Sequence, residues 1–553
     1  MSNVTVSQWQ MEKTGASSRS GMVVAKQEPA ALAGAEMLAR GGNAVDAAVA
    51  AAFVMAVMEP YNNSIGGSGY LVYRANGGAA HVVDYSNRAP ARATTEALAS
   101  RTSADFSGPL ACSVPGTVAG LCTALERFGT LNRADVIEPA IRIAAEGMPL
   151  DWVLSLHIAL NVVGLRSNPD SAAVFLVDGD PPVARGHDVL RQPQLAETLR
   201  QIVDQGPRVF YEGEIAREIV QSVQRAGGLL ELDDFSQFDA TVSSPLRATF
   251  RDYALLAAPL PSPGALTVQS LKLVEGYDLA GMGHNSLDAL HVTAEAFRLA
   301  FADRDAYFGD PEFEEDLTPT LLSEAYLARR RLAIDPRRAM DVVRPGDLGR
   351  VALGAAGGGG GTTHLCAVDA AGNMVSLTQT LIGGLTGFGV AASTGVLMNS
   401  SLQWFDAQPG RPNSAAPRKR PVSNMTPMIV ERDGRAVLAV GAPGSRRITN
   451  AVSQVTLNVL EFGMGAQAAI SAPRIDCSLD HVVADDRIEP SVIEGLRKRG
   501  HTVDVVHEFV GSAGPASGFR GFFARPAAIY VDAEGIRHGG DYPFAPGAAV
   551  AVD

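Results

Sequence analysis

The densest run of chemically suggestive residues spans 357–364, where five glycines lead into Thr362, Thr363 and His364. A phosphate-cradling loop needs Gly-Lys-Ser/Thr after its glycines, and no lysine occurs between Lys272 and Lys419. A flexible linker accounts for the glycines but not for the strand-like alternation that begins at the threonine pair. A third reading is a self-cleaving junction. Glycines put little steric barrier in the way of the bent backbone through which a threonine hydroxyl reaches the preceding carbonyl. Breaking the Gly361–Thr362 bond would leave Thr362 with a hydroxyl and a free α-amine on one residue. With a reference pKa of about 7.7–8.0, that amine is partly unprotonated near neutrality and can accept the hydroxyl proton. On these residues alone the linker remains the simplest reading.

The elements around the junction change character along the chain. Residues 30–40 (AALAGAEMLAR) read as a helix stopped by Gly41-Gly42, and Asn43 offers an N-cap to a second, almost wholly apolar helix ending near Met58. A helix apolar on every face must be buried on every face. IGGSGYLVYR (65–74) allows close backbone approach before a short strand, and from about 115 to 345 the periodicity is mostly helical. Its clearest stripe, Leu287, Leu290, Ala294, Phe297 and Phe301 behind an Asn285/Ser286 cap, is read as core packing. After 361 the pattern turns to strands. Thr363–Val368 and Met374–Thr380 alternate around the turn DAAGN, predicting a hairpin; further strands are expected at Val396–Asn399, Met428–Glu431 and Ala436–Val440. A helix from about Thr449 to Glu461 follows the turn GAPGSRR. The class implied is a layered α+β fold with one discontinuity near 361.

Composition narrows the function. At 553 residues with 46% hydrophobic and 19% charged residues, a sizeable core is available and dominant disorder is excluded. The net charge of −13 argues against nucleic-acid or anionic-membrane partners. The four cysteines form no CxxC pair and the ten histidines no HExxH, so no metal site and no cofactor are expected. The longest charge-free apolar run, Ala47–Met58, falls short of the roughly 20 residues that span a bilayer, and the start of the chain lacks the pattern of a secretory signal. The expectation is a soluble, cytoplasmic protein.

The stretch TTHLCAVDAAGNMVSLTQT (362–380) resembles the small-subunit start of the γ-glutamyltranspeptidase family of N-terminal nucleophile hydrolases. The resemblance runs nearly the whole chain, through GMVVAKQEPAALAGAEMLARGGNAVDAAVAAAF (21–53), IGGSGY (65–70), VPGTVAGL (114–121), AEAFRLAFADR (294–304), PGRPN (409–413), KRPVSNMTP (419–427) and GAPGSRR (441–447). It implies a four-layer αββα sandwich built jointly by two fragments of one precursor, 1–361 and 362–553. Carried over by position, Thr362 is the nucleophile in self-cleavage and turnover, and Thr380 the threonine whose hydroxyl orients it. Gly444 and Ser445 stand where main-chain N–H groups stabilise the oxyanion, donors worth roughly 2.7–4 kcal/mol each. The family has a second glycine where Ser445 stands. His364 is read as a satisfied strand histidine.

The departures from the family pattern bear on the substrate. In DYSNRAP (84–90), Ser86 replaces the family's carboxylate-binding arginine, and Arg88 lies two residues on. The family's serine pair becomes Ser423-Asn424. In NSSLQWF (399–405), Ser401 replaces a glutamine and Trp404 the aspartate that pairs with a substrate ammonium, leaving Asp406 the nearest acid. Ile382 replaces an asparagine. The segment from Phe405 to Arg420 is shorter than in members with a lid loop, which suits a bulkier leaving group or acceptor. Cephalosporin acylases and oxamate amidohydrolases share the family framework with other acyl pockets. The resemblance thus implies a cofactor-free threonine amidohydrolase or acyltransferase acting on a small-molecule amide, its acyl group not a standard γ-glutamyl. A genuine γ-glutamyltransferase or glutathione hydrolase is the alternative, and an unprocessed binding or scaffold relative the alternative of another class.

Overall fold

The computed structural model describes residues 12–94, 97, 108–183, 188–348, 361–406, 408–507 and 522–553. Most of the glycine run, 354–360, lies outside them. The described residues form two seven-stranded antiparallel sheets. The first runs, in spatial order, Ala548–Val552, Gly21–Ala25, Thr362–Val368, Met374–Thr380, Ser68–Arg74, Ala80–Tyr85 and Thr241–Ser243. The second runs Ala16–Ser18, Arg537–Asp541, Ala527–Val531, Arg435–Gly441, Met428–Arg432, Tyr253–Ala257 and Leu246–Phe250. Each sheet therefore draws strands from both sides of residue 361.

Strand alternation sorts the side chains into layers. Met22, Val24, Tyr70, Val72, Cys366 and Val368 of the first sheet meet Leu256, Ile429, Ala439 and Ile529 of the second. The opposite face of the first sheet, with Val23, Leu71, Leu365, Ala367 and Leu377, packs on helices Glu28–Ala39, Ala44–Met58 and Thr117–Phe128, with Arg133–Glu146 packed on Ala44–Met58. The outer face of the second, with Leu255, Ala257, Val430 and Leu438, packs on Gly264–Val274 and Ile448–Leu460, with Leu287–Tyr307 packed on Gly264–Val274. The layers read helix, sheet, sheet, helix.

Helix Ala44–Met58 is buried along its entire length, as its all-apolar surface requires. Asn43 closes a capping box with Asp46. The buried Asp46 carboxylate also accepts from the backbone of Thr130 and Leu131 and from the Thr130 hydroxyl, so its charge is solvated by the fold. Among the described residues no helix is long and apolar enough to cross a membrane.

Residues 115–345 are mostly helical, as expected, but they also hold the strands Thr241–Ser243, Leu246–Phe250 and Tyr253–Ala257 and the two-residue strands Met148–Pro149 and Val189–Leu190. Phe250 pairs directly with Tyr253, and Arg251 takes a left-handed φ of 50° in the two-residue loop between them. That loop is Arg-Asp, not the Asn-Gly or Asp-Gly that signals such a turn in a sequence.

Candidate active site

The hairpin predicted around DAAGN forms with full pairing, from Thr362 opposite Thr380 to Val368 opposite Met374. Asp369 caps the turn by accepting from the backbone N–H of Asn373, and Gly372 takes the left-handed φ of 87°. Directly opposed residues point to the same face, so this register alone puts two threonine hydroxyls side by side. The two Oγ1 atoms are 3.1 Å apart, and both residues are buried.

The Gly361 carbonyl sits in a cradle of donors. The Thr380 hydroxyl donates to it, as do the backbone N–H groups of Leu381 at 3.3 Å and Ile382 at 3.2 Å. A threonine hydroxyl has one proton. With that of Thr380 given to Gly361, the Thr362 hydroxyl donates to Thr380 and keeps its lone pairs free. Ile382 reaches its position with φ 69°, a left-handed conformation that a β-branched residue rarely adopts. The neighbouring carbonyl of Asn62 holds Leu381 N–H at 3.0 Å.

His364, also facing between the sheets, contacts Thr378 Oγ1 through Nδ1 at 2.8 Å and Cys366 Sγ through Nε2 at 3.1 Å. Burial, and secondarily the Lys26 charge, holds its pKa well below the usual histidine range, so it stays neutral. This agrees with a satisfied strand histidine. Its ring lies against Gly441, where a Cβ would come within 2.3 Å. The strand Arg435–Gly441 therefore ends beside the head of the strand Thr362–Val368, and the turn carrying Gly444 and Ser445 leaves from there. Gly444 has φ 149° and Ser445 φ 58°, immediately before helix Ile448–Leu460. Pro443 accepts from the backbone N–H of Arg525 at 2.9 Å, which fixes the turn.

The residues singled out for substrate binding are placed unevenly. Arg88 makes a two-pronged ion pair with Glu312, both contacts 2.8 Å, and also donates to the Arg418 carbonyl. Asp406 is paired with Arg411 at 2.7 Å. Neither charge is free for a ligand. Ser401 is buried and donates to Asn399 Oδ1 at 3.0 Å, helping an asparagine that ties Gly66 to Ser113. Ser423 accepts from Met425 N–H through its Oγ at 3.2 Å, and its side chain also meets the Tyr70 phenol. Asn424 Oδ1 takes a 2.9 Å bond from Arg304. Trp404 is buried in one cluster with Ile382, Met425 and Tyr70, and its Nε1 has no partner among the described residues.

Arg304 ends the stretch AEAFRLAFADR, whose sequence assigns it no role. Its guanidinium donates to Asp305, to the Ser423 carbonyl and to Asn424, while Arg446 grips the same Asp305 at 3.0 and 2.8 Å. Burial, and then the Arg446 charge, pushes the Arg304 pKa down to about 10. Two guanidinium groups sharing one carboxylate leave a positive excess behind the Ser423–Asn424 turn. Residues 305 and 446 lie too far apart in the chain for any spacing rule to pair them.

A gamma-glutamyltranspeptidase family model matches residues 30–522. The chain belongs to that family. An enzyme named acylase ACY 1 proenzyme, from a Pseudomonas species, is 36% identical over 513 residues and covers 90% of each chain. The glutathione hydrolase proenzyme of Escherichia coli is 34% identical over 520 residues, covering 89% of this chain and 87% of its own. The cephalosporin acylase from Bacillus halodurans superposes with a TM-score of 0.89 at 26% identity, covering 100% of this chain and 99% of its own. Family hydrolase or transferase chemistry and a mixed α+β fold are thereby established. Acylase and glutathione hydrolase relatives are almost equally similar, so the acyl group has to be read from the pocket.

Proposed function

We propose that this chain is an autoprocessing threonine amidohydrolase or acyltransferase that works through an acyl-Thr362 intermediate, on an acyl group other than standard γ-glutamyl. The observation that carries the reading is the grouping of Thr362 Oγ1, Thr380 Oγ1 and the Gly361 carbonyl. In maturation, Thr362 Oγ1 adds to the Gly361 carbonyl carbon while Thr380 and the two N–H groups hold the oxygen. The C–N bond then breaks, the nitrogen gains a proton to become the α-amine, and water hydrolyses the ester to leave Gly361 as a carboxylate. Residues 1–361 and 362–553 become two subunits that stay together, because each sheet contains strands of both. Two relatives named proenzymes support this route.

In turnover the α-amine takes the Thr362 hydroxyl proton, the hydroxyl oxygen attacks a substrate amide, and Gly444 and Ser445 N–H groups receive the oxyanion. The leaving amine carries the proton away; water, or a second amine in transfer, then releases the acyl group.

The Thr380 hydroxyl is the only side-chain donor on the Gly361 carbonyl among the described residues. Thr380→Val is expected to slow maturation about a hundredfold, read as precursor persisting on a denaturing gel, while Thr380→Ser retains most of the rate. Equal rates in both variants would remove Thr380 from the mechanism.

The substrate side is tested with γ-glutamyl, glutaryl and oxamoyl anilides. Asp406 is already paired with Arg411, so an α-ammonium entering the site would lose water without gaining a counter-charge, a cost of several kcal/mol. The γ-glutamyl compound should show a kcat/KM at least about tenfold below the best of the others. Preference for it would establish the glutathione hydrolase reading instead.

A further inference from the structure

The proposed cleavage would create an amine that the precursor lacks, and the fold fixes where it would emerge. The Gly361 carbonyl faces the end of the strand Met374–Thr380, since Leu381 and Ile382 N–H donate to it. In a trans peptide the N–H points opposite to the C=O, so the Thr362 nitrogen faces the other edge, where Gln27 follows the strand Gly21–Ala25. Thr363, the next residue, turns its side chain toward Glu59. The loop after Glu59 closes the same junction. A Cβ at Gly361 would lie 3.3 Å from the Tyr61 carbonyl, and the Asn62 carbonyl holds Leu381 N–H.

Glu59 is 2% exposed, and its carboxyl is poorly served. One oxygen accepts from Gln27 and Tyr61, both at 3.4 Å, and the other from Asn62 at 3.3 Å. Charge-assisted bonds to a carboxylate run to about 2.7–2.9 Å. The other two buried glutamates among the described residues each hold an arginine, Glu295 that of Arg298 and Glu431 that of Arg74. Glu59 makes no ion pair among those residues. Arg525 is near enough for its charge to act on Glu59, yet its guanidinium makes no ion pair or hydrogen bond among the described residues. Its backbone N–H donates to Pro443, which places it beside the turn carrying Gly444 and Ser445. Burial pushes the Glu59 carboxyl above its usual range, while the Arg525 charge and the Thr363, Asn62 and Gln27 side chains pull it back. Of the other charges at this end, Lys26 is tied to Asp541 and Asp151 acts on Tyr61, while His364 is neutral. A buried carboxylate with lone pairs to spare calls for a cation.

We propose that Glu59 is a positioning residue for the Thr362 α-amine, its carboxylate orienting that base and stabilising the ammonium it becomes in turnover. This rests on the reading of Thr362 as nucleophile and adds the group that serves its base, as the buried acid of a catalytic triad serves the histidine. The amine takes the Thr362 hydroxyl proton, is held as ammonium against Glu59, and passes the proton to the leaving amine. Glu59 itself neither gains nor loses a proton, and Arg525 keeps it ionised.

The test compares the parent with Glu59→Gln and Glu59→Asp, using whichever of the γ-glutamyl, glutaryl and oxamoyl anilides the parent turns over fastest. Maturation precedes the amine, so Glu59→Gln should yield both fragments on a gel. Its plateau kcat/KM should fall about tenfold or more. The acid limb of its pH profile should move down by about one unit, because the amine loses the negative neighbour that raises its pKa. Glu59→Asp keeps the charge, so its acid limb should stay with the parent's even where kcat drops. A lowered plateau with an unmoved limb in Glu59→Gln would mean a merely structural role and overturn the assignment, as would a profile identical to the parent's. Failure of Glu59→Gln to mature while Glu59→Asp matures would place the carboxyl before the amine exists and also overturn it. The parent alone supplies a measurement that no variant's folding can disturb. Cyanate labels only the free-base amine, so labelling of Thr362 against pH, read by mass spectrometry, gives its pKa. Burial without a counter-charge would depress that value; it is expected at or above the reference of about 7.7–8.0, and a value below about 7 would refute the role of Glu59. A parent with no amine to label at Thr362 would instead refute the nucleophile reading.

Discussion

Thr362→Ala is expected to give a single band at the 57.8 kDa precursor mass, where the parent is expected to give fragments of about 38 and 20 kDa. Amide hydrolysis should fall by at least about 10⁴-fold, the scale seen when a covalent nucleophile is removed. Two separate losses combine. The hydroxyl that attacks Gly361 is gone, so no chain end forms; and without that end no α-amine exists to act as base. The geometry makes this outcome specific to one residue. Thr363 is adjacent and equally buried, but alternation turns it away from the inter-sheet space, toward the Glu59 carboxyl beside the helix layer. Thr363→Ala should therefore still mature. Thr362→Ser keeps hydroxyl and amine and should both cleave and turn over, more slowly. Terminal sequencing of the small fragment checks the position of the cut. An intact chain in fully active parent enzyme would refute the scheme.

The features that are legible in the sequence and those that are hidden divide along physical lines. The hairpin is legible because six residues before and seven after alternate around a turn whose Asp, Gly and Asn each have a local reason to be there. The buried helix is legible because Asn43 and Asp46 form a cap three residues apart and no polar residue interrupts the run from Ala47 to Met58. Local rules reach that far. They do not reach Ala548–Val552, a strand of alanine and valine whose place beside Gly21–Ala25 depends on residues over 500 positions away. Nor do they reach the charge state of the site. Arg88 is legible as a possible anion binder, but Glu312, 224 residues distant, claims both arms of its guanidinium. Asp406 is claimed by Arg411, only five residues on, yet that pairing needs the loop to fold back on itself. The cation at the site is Arg304, known only from its contacts. Its neighbours Asp305 and Arg446 form a pair 141 positions apart, and a single chain carries no signal of that pairing.

The second large effect concerns the turn after Gly441. A Cβ at residue 444 would lie 2.5 Å from the Ala524 Cβ and 2.6 Å from its Cα, and φ 149° disfavours any side chain there. Gly444→Ala must move either the turn or the segment leading into strand Ala527–Val531, and the turn carries the proposed oxyanion donors. Their displacement should lower kcat by about 10²–10³, with KM little changed, because those donors meet charge that exists only in the transition state. The proposed maturation uses a different cradle. The Gly361 carbonyl is held by Thr380, Leu381 and Ile382, so Gly444→Ala should still appear as two fragments on a gel, whereas Thr380→Val is impaired at the earlier step. Ser445 offers the opposite substitution. At φ 58° a serine carries strain on the order of 1 kcal/mol that glycine does not. Ser445→Gly should keep the main-chain donor, retain activity and raise the unfolding free energy by up to about that amount, measurable as a shift in denaturant midpoint at constant slope. If Ser445→Gly lost activity as Gly444→Ala does, the serine side chain, and not the backbone of the turn, would be the group that catalysis uses.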